Sequence, residues 1–167
     1  MSSIVTLTRV TIADAPDLIA ANKASQEHHL PWVTSFTDQT GFDGWFQRSI
    51  TGPNVSLIAR AADGGIVGVV NISEIAMGAF QSAYLGYYGM ARYAGQGLMK
   101  EAVRGAIAVA FKELGLHRLE ANIQPGNTAS IELAKRLGFR QEGFSERYLK
   151  IGGQWRDHER WALLADS

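Results

Sequence analysis

The stretch YYGMARYAGQGLMKEAVRGAIAVAFKELG, Tyr87 to Gly115, decides how the rest of the chain is read. An aromatic strand-forming run breaks at Gly89 and again at Gly95-Gln96-Gly97, and a long alanine-rich helical pattern follows at once. Glycines at a strand-to-helix junction let a ligand approach the backbone closely. The helix beginning there offers unpaired amides and a partial positive charge, which suits a phosphate. Two common phosphate motifs do not fit. The P-loop is absent, and G-x-G-x-x-G fails at its third glycine, where Lys100 stands.

Outward from this junction the pattern is that of one layered α/β domain. From about Leu98 to Leu114 a polar stripe of Lys100, Glu101, Arg104 and Lys112 runs along an otherwise apolar helix, which predicts broad packing on a sheet. Upstream, NVSLIARAADGGIVGVVNISEIA reads as two strands joined by Asp63-Gly64-Gly65, and SAYLGYYGMA as a third, interrupted by Gly86 and Gly89. TLTRVTI, residues 6–12, alternates like a strand; Asp14 then caps a helix with Pro16 in its first turn. GFDGWFQRSI predicts a second, shorter helix. Downstream come a strand, HRLEANIQ, ended by Pro125-Gly126, and a short helix, NTASIELAKRLG, stopped by Gly138. The tail SERYLKIGGQWRDHERWALLA predicts two strands around Gly152-Gly153. The order predicts a single domain over 1–167 with a mixed α/β sheet.

Bulk properties narrow the function classes. The 167 residues carry 16 basic and 16 acidic side chains, so there is no basic excess of the kind a nucleic-acid binder shows. No apolar run approaches a membrane span, and the first residues lack the basic-then-apolar pattern of a secretory signal. The absence of cysteine removes disulfides and thiolate metal sites and fits a cytoplasmic protein. His28 and His29 are adjacent, with nothing at metal-ligand spacing beside them, so no metal is expected.

ARYAGQGLMKEAV followed by IQPGNTASIELAKRLGFRQEG resembles the GNAT acyltransferase family, and within it the RimJ/RimL-type group that acetylates ribosomal-protein N-termini. YLKIGGQWRDHERWAL resembles that group's C-terminal hairpin, and HHLPWV its acceptor-side region. The family signature [Q/R]-x-x-G-x-[G/A] fits Arg92 to Gly97 literally. The helical pattern favours Ala94 to Met99 instead, because Leu98 then opens the buried face. In that register Ala94 replaces Gln/Arg and Met99 replaces the small residue.

The resemblance implies the GNAT fold, a mostly antiparallel sheet whose middle strands splay, flanked by helices. It implies acetyl-CoA as donor, with its pyrophosphate on Gly95, Gln96, Gly97, Leu98 and Met99 and its pantetheine arm along Tyr88, Gly89 and Met90. Asn127 matches a coenzyme contact and also suits an N-cap; Ser130 matches a serine near the thiol. The general-acid tyrosine of other members is Ala134 here, so Ser130 or a water must protonate the thiolate. Glu120 and Glu74 are the nearest candidates for a base, and each also reads as an ordinary surface glutamate. His28, His29, Trp32 and Tyr87 fall on the acceptor side, and Tyr148, Trp155, Arg156 and Asp157 on the opposite wall or in plain hairpin packing.

The expected reaction is direct attack of an amine on the thioester. At pH 7 roughly a tenth of an α-amine is neutral, with pKa about 8, whereas lysine, at about 10.4, is almost wholly protonated. A site without a strong base therefore suits a protein N-terminus, with a small amine as the alternative acceptor. A CoA-binding module without catalysis is the rival from another class. The expected partners are a peptide N-terminus or small amine, not nucleic acid or membrane, and the chain is expected to be a monomer or homodimer.

Overall fold

The computed structural model describes residues 4–166. One sheet runs in the order β1-β2-β3-β4-β5-β7-β6. Its strands are β1 Thr6–Arg9, β2 Val55–Arg60, β3 Ile66–Ala76, β4 Ser82–Gly89, β5 Arg118–Ile123, β6 Arg140–Ile151 and β7 Gln154–Leu164. The helices are α1 Ala15–Ala24, α2 Gln26–His29, α3 Gln39–Ile50, α4 Leu98–Ala108 and α5 Thr128–Arg136. Every pairing is antiparallel except β4 with β5. This is the α/β class expected, with the splayed centre the resemblance implied.

Two cores cover the two faces of the sheet. Leu57, Val70, Ile72, Leu119 and Trp161 pack under Ala102, Val103 and Ala106 of α4. Ile58, Val69 and Met90 pack on the other face against Leu18 of α1 and Phe42 of α3. β2 is therefore buried on both sides, which explains its apolar run, broken only by Ser56, whose hydroxyl bonds Ser49 and Asn71. The alanines of α4 let its axis lie close to the strands.

Several local expectations shift. The first strand ends at Arg9, and Ile12–Asp14 forms a 3-10 turn. Asp14 does not cap α1: its carboxylate accepts from the Thr11 amide at 2.7 Å and pairs with Arg60 at 3.0 Å. The second helix is the longer of the pair, 12 residues against 10, because Asp38 caps it by accepting from the Gly41 amide at 2.7 Å. The helix read through Leu114 widens into a π turn over Val109–Glu113.

Both hairpins form where their glycines lie. Gly152 and Gly153 take φ of +58° and +83°, the left-handed geometry a two-residue turn requires. Asp63 in the β2–β3 turn accepts from Tyr93 Oη and Arg92, each at 2.8 Å, and so ties that turn to the β4–α4 connection.

β4 and β5 pair only across Ser82–Tyr84 and Arg118–Glu120. Beyond Tyr84 they separate, and a cavity opens in the gap.

Candidate active site

A cavity of about 550 Å³ is bordered by Leu85 to Gly89 on β4 and by Ala121 to Ile123 on β5. At one end it meets Gly95, Gly97 and Lys100 at the start of α4, and Arg136 on α5. At the other it meets Trp32, Asn122, Gln124 and His158. The cavity thus takes in side chains from both faces of the sheet.

The α4 end presents the unpaired amides of a helix start, which can receive an anion. Gly95 and Gly97 both adopt φ +76°, and Gly97 is the N-cap, so the helix starts at Leu98. Arg92, the first position of the literal register, is paired with Asp63 and lies 5.0 Å from the Tyr93 ring centroid. Gln96 turns back on Arg92, its Nε2 donating to the carbonyl at 3.4 Å. Met99 is seated against two glycines. A Cβ on Gly68 would come within 2.4 Å of its sulfur, and one on Gly89 within 2.8 Å of its Cγ. Gly68 and Gly89 are register partners on β3 and β4, so together they form a notch for the methionine. This explains why Met99 can stand where the family has a small residue. Gly86 and Gly89 do not interrupt the strand: the β3–β4 register is regular there and shifts only between Ser73 and Ala76.

In the gap, Tyr87 and Ser130 meet. Ser130 Oγ donates to Tyr87 Oη at 3.1 Å, and Tyr87 Oη donates to the Ser130 carbonyl at 3.1 Å. Burial pushes the Tyr87 phenol above its ordinary pKa, partly offset by the hydrogen bond with Ser130. Tyr87, expected on the acceptor side, instead faces α5, since alternate residues of a strand face opposite ways. Its neighbour Tyr88 points to the other face, and burial raises its pKa to about 12. Asn127 caps α5, accepting from the Ser130 amide at 3.4 Å, and also borders the cavity.

His29 is 3% exposed and fully engaged. Nε2 lies 3.0 Å from the Gly89 carbonyl and Nδ1 2.9 Å from Ser35 Oγ, while the ring meets Tyr88 edge-on at 4.9 Å. Because a carbonyl only accepts, Nε2 carries the proton and Nδ1 accepts from the serine. His29 therefore anchors α2 to the end of β4, whereas His28 is exposed at the cavity rim. Burial lowers the His29 pKa below 6.5, against the opposing pull of the Gly89 bond and with a smaller push from His28. The unfolded chain then takes up a proton that the folded chain resists, so this group's contribution to stability falls as pH drops below 6.5. The urea midpoint of the wild type should decline from pH 7 to pH 5 more steeply than that of His29→Gln; parallel declines would remove His29 as the cause.

Trp32 covers the end of β5. A Cβ on Gly126 would approach its Cη2 to 3.2 Å, and Gln124 Nε2 donates to its carbonyl at 3.4 Å. Glu120 is a correction. Its carboxylate pairs with Arg118 Nε at 2.9 Å, and it is not among the residues that border the cavity. β5 alternates its faces and Arg118, two residues away, is on the same one, so that carboxylate is claimed. Glu74 does not border the cavity either.

The sequence reading passed over Lys100, Asn122, Gln124, Arg136 and His158 as site residues. Arg136 had a signal: Ser130, Leu133 and Arg136 recur every third residue along one side of α5, and all border the cavity. His158 had none, because a histidine alternating along a hairpin strand reads as packing.

A family model described as an acetyltransferase (GNAT) domain matches residues 5–140. The [ribosomal protein uS5]-alanine N-acetyltransferase of Escherichia coli strain K12 is 45% identical over 98 residues, 59% of this chain and 50% of that protein. The chain spans about half the length of the curated relatives it matches. RimJ of Mycobacterium smegmatis, solved in complex with CoA-disulfide, is 31% identical over 97% of this chain and 82% of that one, with a TM-score of 0.87. The Vibrio cholerae spermidine N-acetyltransferase, solved with CoA and spermine, shares the fold at a TM-score of 0.83 and 18% identity, over 97% and 96% of the two chains.

Proposed function

The chain belongs to the GNAT acetyltransferase family, and from that premise we propose that it transfers acetyl from acetyl-CoA to a protein N-terminal α-amine. The observation that carries this reading is the cavity joining the start of α4 to the opposite face of the sheet through the β4–β5 gap. A donor too long to fit on one face has a continuous path, and an acceptor can reach the thioester from the other side.

In this reading the amides of Gly97 to Met99 and the cations of Lys100 and Arg136 hold the donor's phosphates. Asn127 contacts the pantetheine arm, and the backbone of Tyr88 to Met90 lines its path. The amine attacks the thioester carbon. Ser130 and Tyr87, hydrogen-bonded to each other, supply the proton the departing thiolate needs, in place of the tyrosine that Ala134 removes. Trp32 closes the acceptor side with an apolar wall. The E. coli relative named for uS5 alanine supports a peptide acceptor, and such an acceptor would be met in the cytoplasm. The shared fold with a spermidine enzyme supports a small amine as the second reading.

An acceptor panel separates them. With acetyl-CoA, a peptide beginning with alanine should be acetylated at its α-amine, and the same peptide with a blocked N-terminus should not be, even if it carries lysines. A higher kcat/KM for spermidine than for any free peptide N-terminus would favour the small-amine reading.

A further inference from the structure

His158 is a buried titratable group on the acceptor side that the mechanism above leaves idle. It lies on β7, is 3% exposed, and borders the cavity. Its neighbour Glu159 is in register with Ile123, and Arg160 with Asn122. His158 therefore shares a sheet face with Arg160 and Asn122, away from Trp161 and Ile123, which belong to the core under α4. Nδ1 lies 2.9 Å from the Arg156 carbonyl. A carbonyl cannot donate, so Nδ1 carries the proton and the neutral ring keeps its lone pair on Nε2. Among the described residues no protein group bonds Nε2. An edge contact with Tyr148, 6.3 Å between ring centroids, braces the ring.

We propose that His158 is the proton acceptor for the attacking amine. The assignment rests on the transferase reading and adds the base that Glu120 cannot be. As the C–N bond forms, the amine nitrogen becomes cationic and passes one proton to His158 Nε2. The C–S bond breaks with its electron pair on sulfur, and the Tyr87–Ser130 pair returns one proton to that sulfur. The products are the acetylated amine and free thiol; the imidazolium releases its proton to solvent, and the hydroxyl pair regains one.

Tyr148 on β6 meets the ring, Arg156 and Arg160 share its strand face, and Tyr88, His28 and Glu132 border the same cavity; beyond Tyr148 lie Tyr84, Glu120 and Glu74. The Arg160 guanidinium is held by Ser145 Oγ at 3.1 Å. Glu120 is paired with Arg118, so the imidazolium discharges to solvent rather than persisting as an ion pair.

The test uses His158→Asn and His158→Gln with acetyl-CoA and an alanine-initiated peptide, at pH values from 6 to 9.5. Asparagine keeps a donor for the Arg156 carbonyl while removing the proton acceptor. Near pH 7 kcat/KM for the peptide should fall about 10²- to 10⁴-fold in both variants. The acetyl-CoA Kd should not change, and the deficit should shrink as rising hydroxide takes the proton of the attacking nitrogen in the histidine's place. Rates within about threefold of wild type, or a deficit equal at every pH, would overturn the assignment. A wild type that binds acetyl-CoA but acetylates no amine overturns it and spares the donor site. One that binds no acetyl-CoA overturns the transferase reading beneath it.

Discussion

Gly97→Asp should lose acetyl-CoA binding by about a hundredfold or more, since a like charge near 4 Å costs up to about 4 kcal/mol at a partly exposed site. Two features of the position produce this. Gly97 is the N-cap of α4, where the amides that would meet the pyrophosphate emerge, so a carboxylate there competes for the same donors. A Cβ at Gly97 would meet nothing within 4 Å, so the loss comes from charge and occupancy of the site rather than from a clash inside the protein. The backbone adds a separate, smaller effect. At φ +76° any side chain strains the turn by about 1–2 kcal/mol. Gly97→Ala isolates that effect: it should lower the melting temperature slightly and leave acetyl-CoA affinity within about tenfold of wild type. Calorimetric titration of both variants checks the pair. Equal affinities for Asp and Ala would mean the phosphate lies elsewhere.

Ser130→Ala and Tyr87→Phe should each lower kcat about 10²-fold while changing acetyl-CoA affinity little. The two hydroxyls are 3.1 Å apart, and whichever turns toward the thiolate leaves the other as its hydrogen-bond partner. They form one proton-donating unit, so the double variant should be no worse than the slower single variant. Independent contributions would multiply instead, to about 10⁴-fold. A phenol is protonated at neutral pH and burial holds the Tyr87 proton more tightly still, so only a charged thiolate draws on it. Wild-type kcat in both single variants would return the pair to a packing role, with water as the donor.

The parts of this molecule that could be read from the sequence are those set by local chemistry. The β2–β3 hairpin, the Asn127 cap and the stop at Gly138 all follow from short-range rules about turns and helix ends, and each forms where it was expected. The start of α4 is equally local: Gly97 leaves the helix no earlier origin. α3 starts at Gln39, two residues before the Gly41 at which GFDGWFQRSI begins, because Asp38 caps it. The acceptor side was least legible. His28, His29 and Trp32 are close in sequence, yet His29 is anchored to β4 while His28 sits at the rim, and that division depends on Gly89, 60 residues away. Tyr87 and Tyr88 look equivalent in the sequence, and the strand's alternation sends one to Ser130 and the other to His29. Glu120 failed for a similar reason: its partner Arg118 is local, but Arg118 is also held by Glu142 of β6, a contact made only in the assembled sheet. Met99 looked like a defect of the phosphate signature until Gly68 and Gly89 supplied its notch.

The account stands on the claim that the turn at Gly95 to Met99 holds the pyrophosphate of acetyl-CoA. The most direct measurement is calorimetric titration of the wild-type chain with acetyl-CoA, with NADH and ATP titrated under the same conditions. Micromolar binding of acetyl-CoA, with neither NADH nor ATP binding comparably, is the predicted result. No heat with acetyl-CoA, or equal binding of all three, would contradict it.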